Sequence, residues 1–328
     1  MMKYATTNIQ LNGIRFQGVR SVSVKRSINQ INSTATITMP TAAVLRTGDT
    51  QQKVEVAEQI KRGDSVVISL GYDSDNKEEF RGYITRINQR TPLVVECEDN
   101  AYIFKKKNIK KTYKNTNLQT IIRDLCEDLI DADYEANDIN IENLILATDT
   151  GEEVTRYLAL ERLKELLGIA IYFRADGSLY AGLHYTPNYG SVKHSLGVNT
   201  RDDGSELKYH KADEQKIKIK AIYIDESGEK TEVEVGDEDG GLRTVYFSEI
   251  SSRAELSKLA ENAIKQYRYD GYEGSYNAFL QPFCQPGYSV ELIDEQFPER
   301  SGTYYIDAVT VELSQSGGVR KIEISQKL

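Results

Sequence analysis

The chain has 328 residues, with 41 Lys and Arg against 50 Asp and Glu, a net charge of −9. Apolar residues at 39% and charged residues at 28% exclude a disordered chain. The acidic balance argues against bulk nucleic-acid binding through a broad basic face.

The first hundred residues read as short strands. Ile9–Phe16 carries Ile9, Leu11, Ile14 and Phe16 around Asn12-Gly13, a strong hairpin signal. Val19–Val24 alternates, with Arg20, Val22 and Val24 on one face. Thr34–Met39 alternates too, Ala35, Ile37 and Met39 opposing three threonines, and Pro40 closes it. A polar, poorly periodic stretch follows over Thr41–Ile60. Asp64–Tyr72 reads as a buried strand ending at the turn-rich Asp73–Asn76; Phe80–Ile87 and Leu93–Glu98 follow. Strands without regular helices between them suggest an antiparallel barrel or sandwich.

The period then changes. Thr116–Ile130 has Leu118, Ile121, Ile122, Leu125 and Leu129 at helical spacing, with Asn115 or Thr116 as its expected cap. A second helix is expected from about Glu152 to Leu167, stopping at Gly168. Ile169–Arg174 and Ser178–Leu183 form a hairpin through Asp176-Gly177.

The last third returns to strands. Lys216–Asp225 and Glu229–Val235 alternate around Ser227-Gly228, and an acidic loop, Gly236–Gly241, follows. Ser252 and Glu255 read as the capping box of one helix, residues 252–267. Gly274–Leu280, Ser289–Ile293, Gly302–Leu313 and Val319–Ser325 complete the pattern. The expected fold is mainly β with an α+β insert: two antiparallel β-barrels, residues 1–110 and 187–328, flanking a small α+β domain, 111–186.

No run approaches the ~18 apolar residues of a membrane helix, so no membrane segment is expected. The MMKYATTNIQLNG start has no apolar signal core. Cys97, Cys126 and Cys284 are odd in number and far apart, which fits folding in a reducing compartment. Tyr is frequent at 21 and Trp is absent. Tyrosine suits half-buried strands and wet interfaces, so the composition points to an interaction protein.

Candidate chemistry is sparse. His184, His194 and His210 have no metal-ligand spacing, and there is no GxSxG, Walker loop or GxGxxG. No catalytic, metal-binding or cofactor-binding residue is expected, and no cofactor. Glu152-Glu153 and Asp237-Glu238-Asp239 are the only paired acids. A general acid needs an apolar setting, which neither sequence context offers. Glu152 and Glu153 read as first-turn acids of a helix, where the dipole favours them. Asp237–Asp239 reads as a solvated loop, or a loose calcium ligand set without EF-hand spacing. The sharpest local feature is basic: Lys105, Lys106, Lys107, Lys110, Lys111 and Lys114, interleaved with Tyr102, Phe104 and Tyr113. It reads either as a contact for an acidic partner or passing nucleic acid, or as a solvated connector whose lysines protect a strand edge.

In the C-terminal third, Gln285-Pro286-Gly287-Tyr288-Ser289-Val290-Glu291-Leu292 precedes Ser301-Gly302-Thr303-Tyr304-Tyr305-Ile306-Asp307-Ala308-Val309-Thr310-Val311-Glu312-Leu313-Ser314. This resembles the "G-x-Y-x-V-x-x-V-x-H-x-l-s" stretch of phage tail hub proteins. Near the N-terminus, Gly63-Asp64-Ser65-Val66-Val67-Ile68 and Phe80-Arg81-Gly82-Tyr83-Ile84 are similar to the same family's barrel segment. The family is the late control protein D and baseplate hub superfamily, which includes contractile-phage hubs, Mu-like hubs and the hub portion of type VI secretion spikes. Glu312 stands where many relatives carry His.

The resemblance implies a structural baseplate hub of a phage tail or phage-like contractile injection particle. It implies a homotrimer whose ring adapts a sixfold tail tube to a threefold spike. Expected partners are a separate central spike protein, since the chain ends at Leu328 just after the second barrel, the tail tube or tube-initiator protein, and other baseplate proteins, with passing DNA in the channel. The expected location is a virion baseplate, assembled in the bacterial cytoplasm. The rival readings are a tail-associated cell-wall hydrolase and a host-carbohydrate-binding β-protein.

Overall fold

The computed structural model describes residues 4–328 apart from positions 17, 48, 49, 128, 130–132, 149, 186, 202, 225–228 and 248–252. The Ser227-Gly228 turn, Asp225, Ile130 and Ser252 of the expected capping box therefore lie outside the described residues.

The chain is mainly β. Its largest element is a 14-stranded sheet drawn from both ends of the sequence. From one edge the order is Thr200–Arg201, Gly271–Ala278, Gly317–Lys327, Gly302–Ser314, Ser21–Ser27, Thr34–Met39, Leu93–Glu98, Asp75–Asn88, Ser65–Tyr72, Ala5–Leu11 and Ile14–Phe16. Ser289–Ile293 pairs with Gly302–Ser314 and carries Ser191–Ser195 parallel to it. The two chain ends join where Gly302–Ser314 runs antiparallel to Ser21–Ser27, Val311 opposite Val24. No closed ring of strands is present among the described residues.

The alternation read from sequence sets which face packs. Ala35, Ile37 and Met39 are buried while Thr34 and Thr36 are exposed. Asn12-Gly13 makes a two-residue turn with both φ angles positive, 50° and 77°, and Leu11 faces Ile14 across it. That backbone is cheap for Gly and tolerated by Asn. Ser65–Tyr72 is the buried strand that the sequence indicates: Val66, Ile68, Leu70 and Gly71 are buried, and only Ser65 at its start is exposed. The resulting core is shared, running from Ile9 and Val24 to Tyr304, Val311 and Ile322.

Between the two halves lie helices Leu118–Cys126 and Arg156–Leu167, packed with Ala170–Phe173 and Leu179–Gly182 on a second core. The first helix is capped by the Asn117 side chain, which accepts from Gln119 N–H, rather than by Asn115 or Thr116. The second is capped by Thr155, and Gly168 closes it at φ 61°. Glu152 and Glu153 therefore precede the helix and are exposed, and their expected place in its first turn is corrected.

Several elements were not visible in the sequence pattern, among them strands Lys111–Asn117 and Asn140–Leu146, which pair with each other. The polar 41–60 stretch contains a hairpin, Ala42–Thr47 with Thr50–Glu55. Gly241–Phe247 is a strand, parallel to Ile217–Ile224. With Lys230–Gly236 it forms a three-stranded sheet apart from the main one. Leu256, Ala260 and Ala263 of helix Arg253–Tyr267 pack on Ile217, Ile219 and Ala221 to give this sheet its own small core.

Candidate functional site

The lysine run spans three short elements. Lys105–Lys107 follow helix Ala101–Phe104, and Lys111 and Lys114 lie on strand Lys111–Asn117. All six lysines are exposed, but they are not equivalent. Lys105 pairs with Glu98 and sits 4.3 Å from the Tyr157 ring centre. Lys106 donates to the Tyr102 hydroxyl and covers its ring. Lys111 pairs with Asp124. Lys107, Lys110 and Lys114 have no ion pair among the described residues. The interleaved aromatics are core residues: Tyr102, Phe104 and Tyr113 are all buried. They are not available for stacking on bases, which removes one of the two elements of a single-strand nucleic-acid platform.

The paired acids sit in ordinary surface settings. Asp237 accepts from the Ile217 amide and from Arg268, which hold its carboxyl below the usual range. Asp239 is lowered by its bond to Lys216. A general acid needs the opposite shift. No cluster of His, Cys, Asp or Glu with metal-ligand geometry occurs among the described residues. The three cysteines are buried, Cys97 and Cys284 within the main core, and burial pushes the Cys284 thiol up to about 11. Cys126 packs in the second core.

The densest ionic arrangement is one that composition hid. Glu79 is fully buried and accepts from two arginines, Arg26 at 2.8 Å and Arg320 at 2.5 Å. Arg320 also donates to the carbonyls of Cys284 and Leu280, and both guanidiniums stand over the Phe283 ring. Two buried cations share one carboxylate. Burial pulls the Arg26 guanidinium below its ordinary range, against Glu79 and with Arg320. Burial also lowers Arg320, but Glu79, together with Cys284 and Tyr72, leaves this guanidinium above its ordinary value. His194, 0% exposed, meets the Tyr276 hydroxyl at 2.7 Å, and burial with Arg320 pushes it down to about 4. Glu79 and Arg26 come from the N-terminal part of the sheet and Arg320 from its last strand, so this centre ties the chain ends together. A signal existed: Arg26 continues the buried phase of Val22 and Val24, and Arg320 shares the phase of Ile322 and Ile324.

A second polar locus lies where the small sheet meets the main one. A cleft of about 310 Å³ is lined by Tyr185, His210, Arg243, Tyr267, Tyr269 and Glu273, among others. Glu273 stands 3.7 Å from both His210 and Arg243. Beside it, Asp307 accepts from the Ser325 hydroxyl at 2.5 Å, and burial pushes its carboxyl up to about 7. Asp307 was quoted above only as part of the hub-like stretch; its alternation gave no hint of this environment.

Residues 2–150, less than half the chain, match the Alg8 N-terminal domain family model. No curated protein matches. Solved structures do match, and end to end. The 43 kDa tail protein of prophage MuSo2 from Shewanella oneidensis aligns with a TM-score of 0.61 at 16% identity, covering 98% of each chain. A tail protein from Neisseria meningitidis MC58 gives 0.62 at 13% identity, over 98% of this chain and 96% of that one. This chain has the fold of phage tail proteins. An E. coli component of the type VI secretion system, itself structurally similar to T4 bacteriophage tail proteins, aligns at 0.61 and 10% identity, over 98% of this chain and 76% of that one.

Proposed function

We propose that the chain is the structural hub of a phage tail or phage-like contractile particle, acting by binding within a baseplate. The observation that carries this reading is the match of fold over the whole chain rather than over one common β-unit. In the finer form of the proposal, residues 1–110 and 187–328 form two barrel-like halves around an α+β part at 111–186. Three copies form a ring between the sixfold tube and a separate threefold spike. Two barrel-like halves per copy give six similar units in such a ring, which is what a sixfold tube requires of a threefold adaptor. Assembly takes place in the bacterial cytoplasm and ends in the baseplate.

Within this reading, Lys107, Lys110 and Lys114 are the basic positions left for a neighbour, an acidic baseplate surface or DNA in the channel. The contact is electrostatic and salt-sensitive. Mass photometry of the chain with its cognate spike at micromolar concentration is expected to show three hub copies. A mixture containing only monomeric hub overturns the trimeric ring. The triple Lys107/Lys110/Lys114→Glu variant is expected to keep its fold and lose assembly yield at low salt.

A further inference from the structure

The last strand of the large sheet, Ile14–Phe16, pairs only with Ala5–Leu11 among the described residues. The Ala42–Thr47 strand likewise pairs only with Thr50–Glu55. A groove of about 620 Å³ runs between Ile14–Phe16 and this hairpin. Ile14, Phe16, Val44, Leu45 and Val54 give it an apolar strip, and Val44 is 58% exposed. The polar side chains in it are Arg15, Arg46 and Gln59. Both arginines are exposed, neither has an ion pair among the described residues, and none of the described residues lining the groove is acidic. On a chain of net charge −9, that is a local reversal of sign.

The hairpin register says what the edge offers. The residues flanking a two-residue turn exchange both backbone bonds, so Leu11–Ile14 and Ile9–Phe16 are the bonded pairs. The N–H and C=O of Arg15, in the intervening pair with Gln10, then point away from Ala5–Leu11, towards the open side. An unpaired donor and acceptor on a strand edge, next to an apolar slot, is the arrangement that an added strand fills.

We propose that this groove receives an extended segment of another polypeptide in which apolar and acidic residues alternate. Its backbone would pair with Arg15, its apolar side chains would enter the slot beside Phe16 and Val44, and its carboxylates would meet Arg15 and Arg46. Charge complementarity selects this occupant: a basic or neutral strand would leave both guanidiniums without a partner, while carboxylates form charge-assisted bonds with them. The inference is independent of the hub reading, because a chain that never forms a ring would still present the groove.

The test uses the full chain and a fluorescein-labelled peptide of alternating Val and Glu, followed by anisotropy at low salt. Saturable binding is expected, together with slowed hydrogen exchange at the Arg15 amide. Arg15→Glu/Arg46→Glu, both at exposed positions, is expected to weaken binding at least about tenfold. Arg15→Lys/Arg46→Lys is expected to retain most of it. A peptide with central Pro, which lacks the pairing N–H, is expected to bind poorly. Equal binding of a Lys-for-Glu peptide, equal binding of the Pro peptide, or an unchanged Arg→Glu variant overturns the proposal. Competition by a single-stranded oligonucleotide with tighter binding than the peptide would assign the arginines to nucleic acid instead. Displacement of a second copy of the chain by the peptide, seen by sizing, would make the occupant this chain itself and overturn the assignment to another polypeptide.

Discussion

The large sheet and the small one use charge in opposite ways. In the large sheet, Arg26, Glu79 and Arg320 are withdrawn from water and hold together strands from the two chain ends. On the small sheet, Lys218–Glu234, Lys220–Glu232 and Lys230–Glu232 lie across the solvent side of two adjacent strands. The first arrangement is costly to build and far costlier to break halfway, because a lone buried charge has nothing to offset its lost hydration. The second is screened by water and salt and adds little. A shared core with a buried ionic centre makes the chain ends one cooperative unit, whereas the small sheet depends on Ile217, Ile219, Ala221 and a helix face.

The comparison breaks most sharply at Glu79. Glu79→Gln keeps the size of the side chain and leaves two buried guanidiniums without a counter-charge, which is expected to cost about 3–5 kcal/mol. Arg26→Met removes the surplus cation and leaves the Arg320–Glu79 pair intact, so it is expected to cost much less. Urea unfolding followed by tyrosine fluorescence measures both, with no Trp to mask the signal. Similar losses for the two variants would mean that the centre is not organised around Glu79.

pH separates the two regions next. Asp307 is held up to about 7 by burial, above its ordinary 3.8. Between those values the native state binds more protons than the unfolded chain, so this group makes stability fall as pH rises from about 4 to about 7. Asp307→Asn is expected to remove that component, stabilising the protein relative to wild type above pH 7 and not at pH 4. His194 acts in the opposite sense. Its lowered value, about 4 against 6.5, makes stability rise with pH across that window. On the small sheet, Glu232 and Glu234 are lowered by Lys220 and Lys218, so their contribution is present above about pH 4.5 and disappears in acid. Stability of the Asp307→Asn variant against wild type, measured from pH 4 to 8, checks the sign. A difference that does not grow with pH excludes a buried neutral carboxyl.

What the sequence disclosed follows the same division. Thr34–Met39 was legible to the residue because one face is buried and period-two alternation records it, while Leu93–Glu98, buried on both faces, was legible as a short β-branched apolar run. The Asn12-Gly13 and Asp176-Gly177 turns were legible because Asn12, Gly13 and Gly177 sit at positive φ, where Gly and Asn are favoured. Ala42–Glu55 was not legible, since none of its described side chains is fully buried and its partly buried ones follow no clean alternation. Gly241–Phe247 escaped for the same reason: its first four residues are exposed and it joins its neighbour at the edge of the sheet. The acids at 152 and 153 mimicked a helix start that Thr155 in fact provides. The lysine run was conspicuous, yet half of its charges are answered locally, by Glu98, Tyr102 and Asp124. The buried centre was inconspicuous because charged residues in an apolar phase look like errors in alternation until Glu79 and the arginines are seen together.

The smallest effect belongs to the small sheet's surface pairs, and it is the one that tests whether the contrast is real. Lys220 faces Glu232 at 2.8 Å, and Lys218 faces Glu234 at the same distance. Such geometry would be strong in a dry interior, but here each partner can be re-solvated as soon as the other is removed. Glu232 also keeps Lys230 when Lys220 is lost, and Glu234 is left in water when Lys218 is lost. Lys218→Ala and Lys220→Ala are therefore expected to leave the urea midpoint unchanged within error, at low salt and at high salt alike. Ile219→Ala, from the core beneath the same strands, is expected to cost about 2–5 kcal/mol and to loosen the amides of 217–247 ahead of those of the large sheet. If the lysine variants destabilised as much as Ile219→Ala, the exposed lattice would carry the small sheet, and the contrast between buried and solvated charge in this fold would fail.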